Sequence, residues 1–397
     1  MPKKIVKLML LIGLSCLTLT GCWDSTEVNN RSIILELAVD KNTDYAYDTT
    51  KLIDDQPIYD IYYAIPDYGK LSGTNTLATN VETNVEVQAP TIGASIDDLE
   101  TKNKNSVSFS HVKALLLGEE LLKDPELFKR AMDSVSRDML IARNVPLLAV
   151  NGDAKLITKV ESEEQPILGL YIMDYFNNGE RASSFFKKQL VGNYIREMDD
   201  TGVSTLPLFH TEKIDTTDPE SKSTEIDISG AAVIHDYELV GYLTKEEVRS
   251  QLYIEGQIKN TPVVISDEGS LLSYTVKRQQ SKLKFGETQT GPWCLIEIEV
   301  EGNISEYLSE EESKLISPQG LEEVKQAIAN EIIKQINVGI NKSKEMNMDF
   351  LGIGEAFYRQ HPKMWMKYQP TWLSTSYRNL PISIGVDVSI QSTGISE

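Results

Sequence analysis

The sequence predicts an α+β fold, with helices packed against largely antiparallel sheets. Three observations predict it. Residues 113–117 and 145–150 are short apolar runs flanking a helix that starts at Asp124-Pro125, a β-α-β order. After Pro318, the residues Leu321, Val324, Ile328, Ile332 and Ile336 recur three or four apart, the spacing of one helix face. Residues 381–391 close with Ile382, Ile384, Val386, Val388 and Ile390 in strict alternation, the period of a half-buried strand.

The remaining elements follow in chain order. Residues 32–40 read as a strand with Ile33, Leu35, Leu37 and Val39 on one face, and residues 58–65 as a second, aromatic-rich strand. Ile92, Ile96 and Leu99 stand at helical spacing. Asp124 can cap free amides and Pro125 is tolerated in a first turn; the helix they open carries Leu127, Phe128, Ala131, Met132 and Val135 on one stripe. Phe186, Leu190, Val191, Tyr194, Ile195 and Met198 mark another amphipathic helix.

Residues 211–224 break the pattern. They are polar and charged, hold Pro219, and have Ile214 as their one aliphatic residue, which reads as a linker or long surface loop between domains. The expected organisation is a leader (1–21), an N-terminal α+β region of two subdomains (22–210), the linker (211–224) and a C-terminal α+β domain (225–397). In the last of these, residues 225–234 read as a strand and Thr244 to Glu247 fits a capping box. Ile296, Ile298 and Val300 alternate with Glu297, Glu299 and Glu301, a sheet with one wet, acidic face.

The first residues set the compartment. Lys3, Lys4 and Lys7 precede an apolar run from Leu8 to Leu19, which is shorter than the roughly 20 apolar residues that span a bilayer. It fits the hydrophobic part of a secretory signal. Leu19-Thr20-Gly21-Cys22 then forms a lipobox, in which lipid is attached to the Cys22 sulfur before cleavage makes Cys22 the new N-terminus. Two acyl chains hold a protein stably where one holds it marginally, at about 0.8 kcal/mol per buried CH₂. The expected product is a lipid-anchored body on the outer face of a membrane.

Composition narrows the partners. The whole chain carries a formal charge of −20, and removal of the leader takes away three lysines and no acid. So acidic a body repels nucleic acid and anionic surfaces that come within about a Debye length. Cys16 leaves with the leader and Cys22 is lipidated, so Cys294 remains alone and no internal disulfide can form. The fold must rest on core burial, for which the chain is long enough.

No catalytic, cofactor or metal site is expected. His111, His210, His235 and His361 are dispersed without zinc-ligand spacing. Glu119-Glu120 and Glu310-Glu311-Glu312 read as solvated charges. Ser110-His111 reads as a polar loop before the strand at 113–117, because adjacent side chains on a strand face opposite ways. Trp365 and Trp372, with Tyr358, Tyr368 and Tyr377, form an aromatic cluster suited to core packing, or to a ligand or partner surface.

Several stretches, in order, resemble one family: the Ger(x)C lipoproteins, C subunits of GerA-type spore germinant receptors. They are Gly21-Cys22-Trp23-Asp24 with Glu27-Val28-Asn29-Asn30; Ser108-Phe109-Ser110-His111 with Gly118-Glu119; Leu206-Pro207; Ser229-Gly230-Ala231-Ala232-Val233; Leu239-Val240-Gly241-Tyr242-Leu243 with Glu246-Glu247; and Asp349-Phe350-Leu351-Gly352-Ile353-Gly354-Glu355 with His361-Pro362 and Trp365. Where the family often has a basic residue after the Trp-Asp pair, this chain has Ser25-Thr26. The resemblance implies three mixed α/β domains after a lipoprotein signal peptide. It implies a non-catalytic subunit that assembles with integral-membrane A and B subunits in the inner spore membrane and takes part in the response to nutrients. Cys22 is the one functional position it carries over. The alternative is a solute-binding lipoprotein serving a transporter, which the single alternating strand at the end and the acidic half-wet sheet disfavour.

Overall fold

The computed structural model describes residues 31–46, 50, 56–67, 81–137, 141–160, 167–177, 184–213, 224–267, 270–308 and 317–393. Cys22, the leader and the opening landmark Trp23 to Asn30 lie outside the described residues.

The first part contains β1 (Arg31–Ile33), β2 (Glu36–Lys41), β3 (Tyr59–Pro66), β4 (Glu82–Ala89), α1 (Ile92–Lys102), β5 (Ser106–Ser108) and β6 (Ala114–Leu117). Next come α2 (Glu119–Leu122), α3 (Pro125–Arg137), β7 (Leu147–Val150), α4 (Leu168–Asn177) and α5 (Val191–Thr201). β8 (Val203–Lys213), β9 (Thr224–His235) and β10 (Glu238–Leu243) end it. Strands β10-β9-β8-β7-β6-β2-β3-β4 form one eight-stranded sheet.

The class is α+β, as expected, and the sheet combines antiparallel pairs with a parallel middle. Its inner strands β2, β6, β7 and β8 are parallel, and antiparallel pairs flank them. The cause is helical cover on both faces. Leu115, Leu117, Leu147 and Ala149 join a core with residues of α1, α3 and α5. Ala114, Leu116, Leu148 and Val150 join another with Leu168, Ile172 and Phe176 of α4. A strand buried on both faces is apolar throughout, so β6 and β7 read as unbroken runs.

Helix α3 starts as its capping pair predicts: Leu127 N–H donates to Asp124 Oδ1 at 3.1 Å, and Leu127, Phe128, Ala131, Met132 and Val135 are all buried. Helix α5 begins at Val191, later than the apolar stripe suggests. Leu190 caps it in extended conformation and bridges to Pro146, while Phe186 packs in the core of the opposite sheet face.

The expected linker is partly strand. β8 and β9 pair antiparallel out to Lys213↔Thr224, and residues 214–223 lie outside the described residues. A division of the chain at 224/225 therefore runs through one sheet. Polar residues and a proline mark a connection between paired strands as readily as one between domains.

The second part contains α6 (Lys245–Ile254), β11 (Thr261–Asp267), β12 (Ser270–Thr288), β13 (Gly291–Leu308), α7 (Pro318–Met346), α8 (Ile353–Gln360), α9 (Pro362–Tyr368) and β14 (Ile382–Ser392). The capping box at α6 is complete: Thr244 Oγ1 accepts from Glu247 N–H at 3.3 Å, and Glu247 Oε2 accepts from Thr244 N–H at 2.8 Å. Strands β11-β12-β13-β14 form a sheet whose last pair is parallel, with α7 as the crossover. The register sets Ile296 beside Ile384, Ile298 beside Val386 and Val300 beside Val388, on the face that packs into the C-terminal core. Val324, Ile328, Ile332, Ile336 and Ile340 of α7 complete that core. Glu297, Glu299 and Glu301 lie on the outer face, with Lys284 2.7 Å from Glu297. Burial of each such aliphatic contributes about 1.5–3 kcal/mol, so this core holds without a disulfide.

Candidate functional site

Cys22, the one expected attachment residue, lies outside the described residues. Among the described residues no group of three or more His, Cys, Asp or Glu could hold a metal ion. Cys294 is a buried free thiol on β13; burial, then the charge of Asp349, pushes it up to about 12, so it is protonated near neutral pH. Ser110 and His111 occupy a turn before β6, as the polar-loop reading expects. Their side chains do not face apart there: Ser110 Oγ lies 2.8 Å from His111 Nδ1 and 3.0 Å from Ser108 Oγ. On a turn, neighbouring side chains can meet.

Two of the family-like landmarks hold a carboxylate: Gly118-Glu119 stands beside Asp40, and the run from Asp349 to Glu355 encloses Asp349. Asp40, at the end of β2, accepts from Lys41 N–H at 2.8 Å, Leu121 N–H at 3.1 Å and Ala154 N–H at 3.0 Å. Burial raises it to about 6 against those three donors. Gly118 is small for a reason: a Cβ there would lie 1.9 Å from Asp40 Oδ2. The Gly118-Glu119 landmark thus makes room for the carboxylate that ties β2, α2 and the turn at Ala154 together.

Asp349 is the counterpart in the C-terminal part. Its Oδ1 accepts from Ile353 N–H at 3.0 Å, and its Oδ2 accepts from Gly354 N–H at 2.6 Å and Trp372 Nε1–H at 2.9 Å. Burial raises it to about 6. A Cβ on Gly354 would meet Trp372 Nε1 at 2.5 Å, so the glycine-rich run before α8 is shaped around this node. Trp372 stands 4.8 Å from Trp365 and 5.5 Å from Tyr377, ring to ring, and Trp365 stands 5.7 Å from Phe357. Four of the five expected aromatics pack in or against the core, whereas Tyr358 is 53% exposed.

A third polar node was not expected from sequence. Lys187 Nζ lies 2.9 Å from Glu197 of α5 and 3.0 Å from Glu255, the residue that ends α6. Gln189 and Ser204 donate to Glu197, both at 2.7 Å, and Gln251 donates to Glu255 at 3.0 Å. Burial pulls the Lys187 ammonium down, yet Glu255 and Glu197 more than offset it and hold it above the ordinary lysine value. The cluster joins the region of the large sheet to the C-terminal part. A lone lysine in a polar stretch carries no sequence signal for this. Glu36 is likewise buried: burial first, then Glu82, raises it well above a normal carboxyl, with Gly169 N–H donating to it.

These nodes tie the scaffold together, and likeness to known proteins extends over the same scaffold. A family model described as the spore germination protein N-terminal domain matches residues 24–211. One described as spore germination B3/GerAC like, C-terminal, matches residues 229–394. The chain belongs to the Ger(x)C family of spore germination proteins. Spore germination protein KC of Bacillus subtilis (strain 168) is 23% identical, over 98% of this chain and 96% of its own length. Spore germination protein B3 of the same organism is 22% identical over 90% of each chain, and A3 is 20% identical over 98% of each. The crystal structure of the GerBC protein superposes with a TM-score of 0.56 at 16% identity, covering 89% of this chain and 96% of that one, which shows a shared fold. The protein of this chain is accordingly a germination protein. No described helix is long and apolar enough to cross a membrane.

Proposed function

We propose that this chain is the lipid-anchored, non-catalytic C subunit of a spore nutrient germinant receptor, tethered through Cys22 and assembled with integral-membrane A and B subunits. One observation carries the reading. Both family models match in order, and the first starts two residues after the lipobox cysteine. The body then functions at the membrane surface without crossing it, as a rigid partner whose contacts favour one receptor conformation over another. A shift from mostly closed to mostly open needs about 5.5 kcal/mol of differential interaction, shared among nutrient and subunits. A body stiffened by polar nodes such as Asp40, Asp349 and Lys187 can transmit such a bias, because its parts are held in one arrangement.

The test is Cys22→Ala in spores. Receptor level and the nutrient response should both fall sharply. Unchanged level and response would rule out an anchoring role for this cysteine.

A further inference from the structure

From Ala356 to Val386 the chain carries four basic residues, Arg359, Lys363, Lys367 and Arg378, and no acidic one, although its formal net charge is −20. Helix α9 lies in this stretch and its two sides differ. Met364, Trp365 and Tyr368 pack against the C-terminal core. Lys363, Met366 and Lys367, spaced i, i+3 and i+4, share the other face, and all three are exposed. Met366 is 63% exposed, the most open of the large exposed hydrophobics among the described residues. One turn earlier, α8 ends with exposed Tyr358 and Arg359. The nearby acids are already paired, Glu355 with Arg359 and Glu287 with Lys367.

Basic side chains alone would suit an acidic protein as well as a lipid. Met366 and Tyr358 standing open beside them favour lipid. In a bilayer interface, an apolar chain or ring enters the headgroup boundary while ammonium and guanidinium groups meet the phosphates. The rest of the body supplies an orienting force. It is acidic and repelled by an anionic surface within a Debye length, so the face on which four basic residues outnumber the two paired acids is the one that can approach.

We propose that the face formed by the end of α8 and by α9 docks on anionic lipid headgroups and sets the orientation of the body on its membrane. The inference rests on the membrane-anchored reading above. The test uses the full lipidated chain on vesicles of phosphatidylcholine alone, or of phosphatidylcholine with phosphatidylglycerol. The readout is amine-reactive labelling of Lys363, referenced to Lys334 of α7, whose side chain is 76% exposed. Phosphatidylglycerol should lower Lys363 labelling about five-fold, the scale of one basic residue at an anionic surface, and leave Lys334 unchanged. Raised salt should reverse the protection. Arg359→Gln with Met366→Asp should restore Lys363 labelling to its level on phosphatidylcholine. Equal labelling on both vesicles overturns the proposal. So does protection that needs the other receptor subunits and occurs equally on phosphatidylcholine, because that outcome assigns the face to an acidic protein. A chain not retained on phosphatidylcholine would refute the Cys22 tether, while the phosphatidylglycerol arm would still decide the docking.

Discussion

Replacing Lys187 by methionine isolates the interaction that joins the two parts of the body. The ammonium lies 2.9 Å from Glu197 and 3.0 Å from Glu255, and the side chains are 14%, 14% and 21% exposed in that order. Methionine fills similar space but removes the one cation shared by two carboxylates. Breaking a buried ion pair from one side costs about 3–5 kcal/mol, because a desolvated charge is left without its partner. Hydrogen bonds from Gln189, Ser204 and Gln251 still reach the carboxylates, so the lower end, about 3 kcal/mol, is expected. Urea unfolding at neutral pH, followed by far-UV circular dichroism and tryptophan fluorescence, measures the loss. The variant Lys187→Met with Glu197→Gln and Glu255→Gln should recover most of it, because the cluster is then neutral throughout. A single-variant cost below about 1 kcal/mol would refute the reasoning, since that is the value of an exposed pair. A triple variant as unstable as the single one would also refute it, by showing that shape rather than charge was lost.

Other expectations follow from the carboxylate nodes. Asp40 and Asp349 titrate near 6 in the folded protein against an ordinary 3.8, so the folded state holds more protons between those values and stability falls as pH rises through that window. Acidification from about pH 7 to pH 5 should stabilise the protein by about 1 kcal/mol for each group, read from urea midpoints, and Asp349→Asn should remove its share; an unchanged pH response in that variant would count against the Asp349 assignment. Gly118→Ala forces a Cβ into the Asp40 carboxylate and should cost about 1–3 kcal/mol in the same assay, the usual penalty of overpacking, whereas a neutral result would mean that Asp40 can move aside.

The elements that the sequence reveals best are those with one buried face. The stripe of α3, the alternation of β14 and the capping box at Thr244 all follow local periodicity or local hydrogen bonding, and the structure has each of them. Strand direction was less legible. β6 and β7 are covered on both sides, so they carry no alternation, and their parallel pairing depends on helices far apart in the chain. The stripe at 186–198 merged residues serving two sheet faces, because periodicity does not record which core a side chain enters. The nodes were harder still. Asp349 could be noticed inside a glycine-rich apolar run, but Lys187 meets Glu255 across sixty-eight positions, a pairing visible only after folding. The likeness to Ger(x)C proteins was legible because its landmarks are glycines, aromatics and turn residues, the residues with least freedom at tight approaches.

The most direct test of the account is dipicolinate release from spores in which this chain belongs to the one germinant receptor retained, using a nutrient to which those spores respond. Removing the gene should abolish that release while a trigger that bypasses receptors still works. Release that persists on the nutrient without the gene would contradict a receptor-subunit role, and a solute-binding lipoprotein would become the reading to pursue.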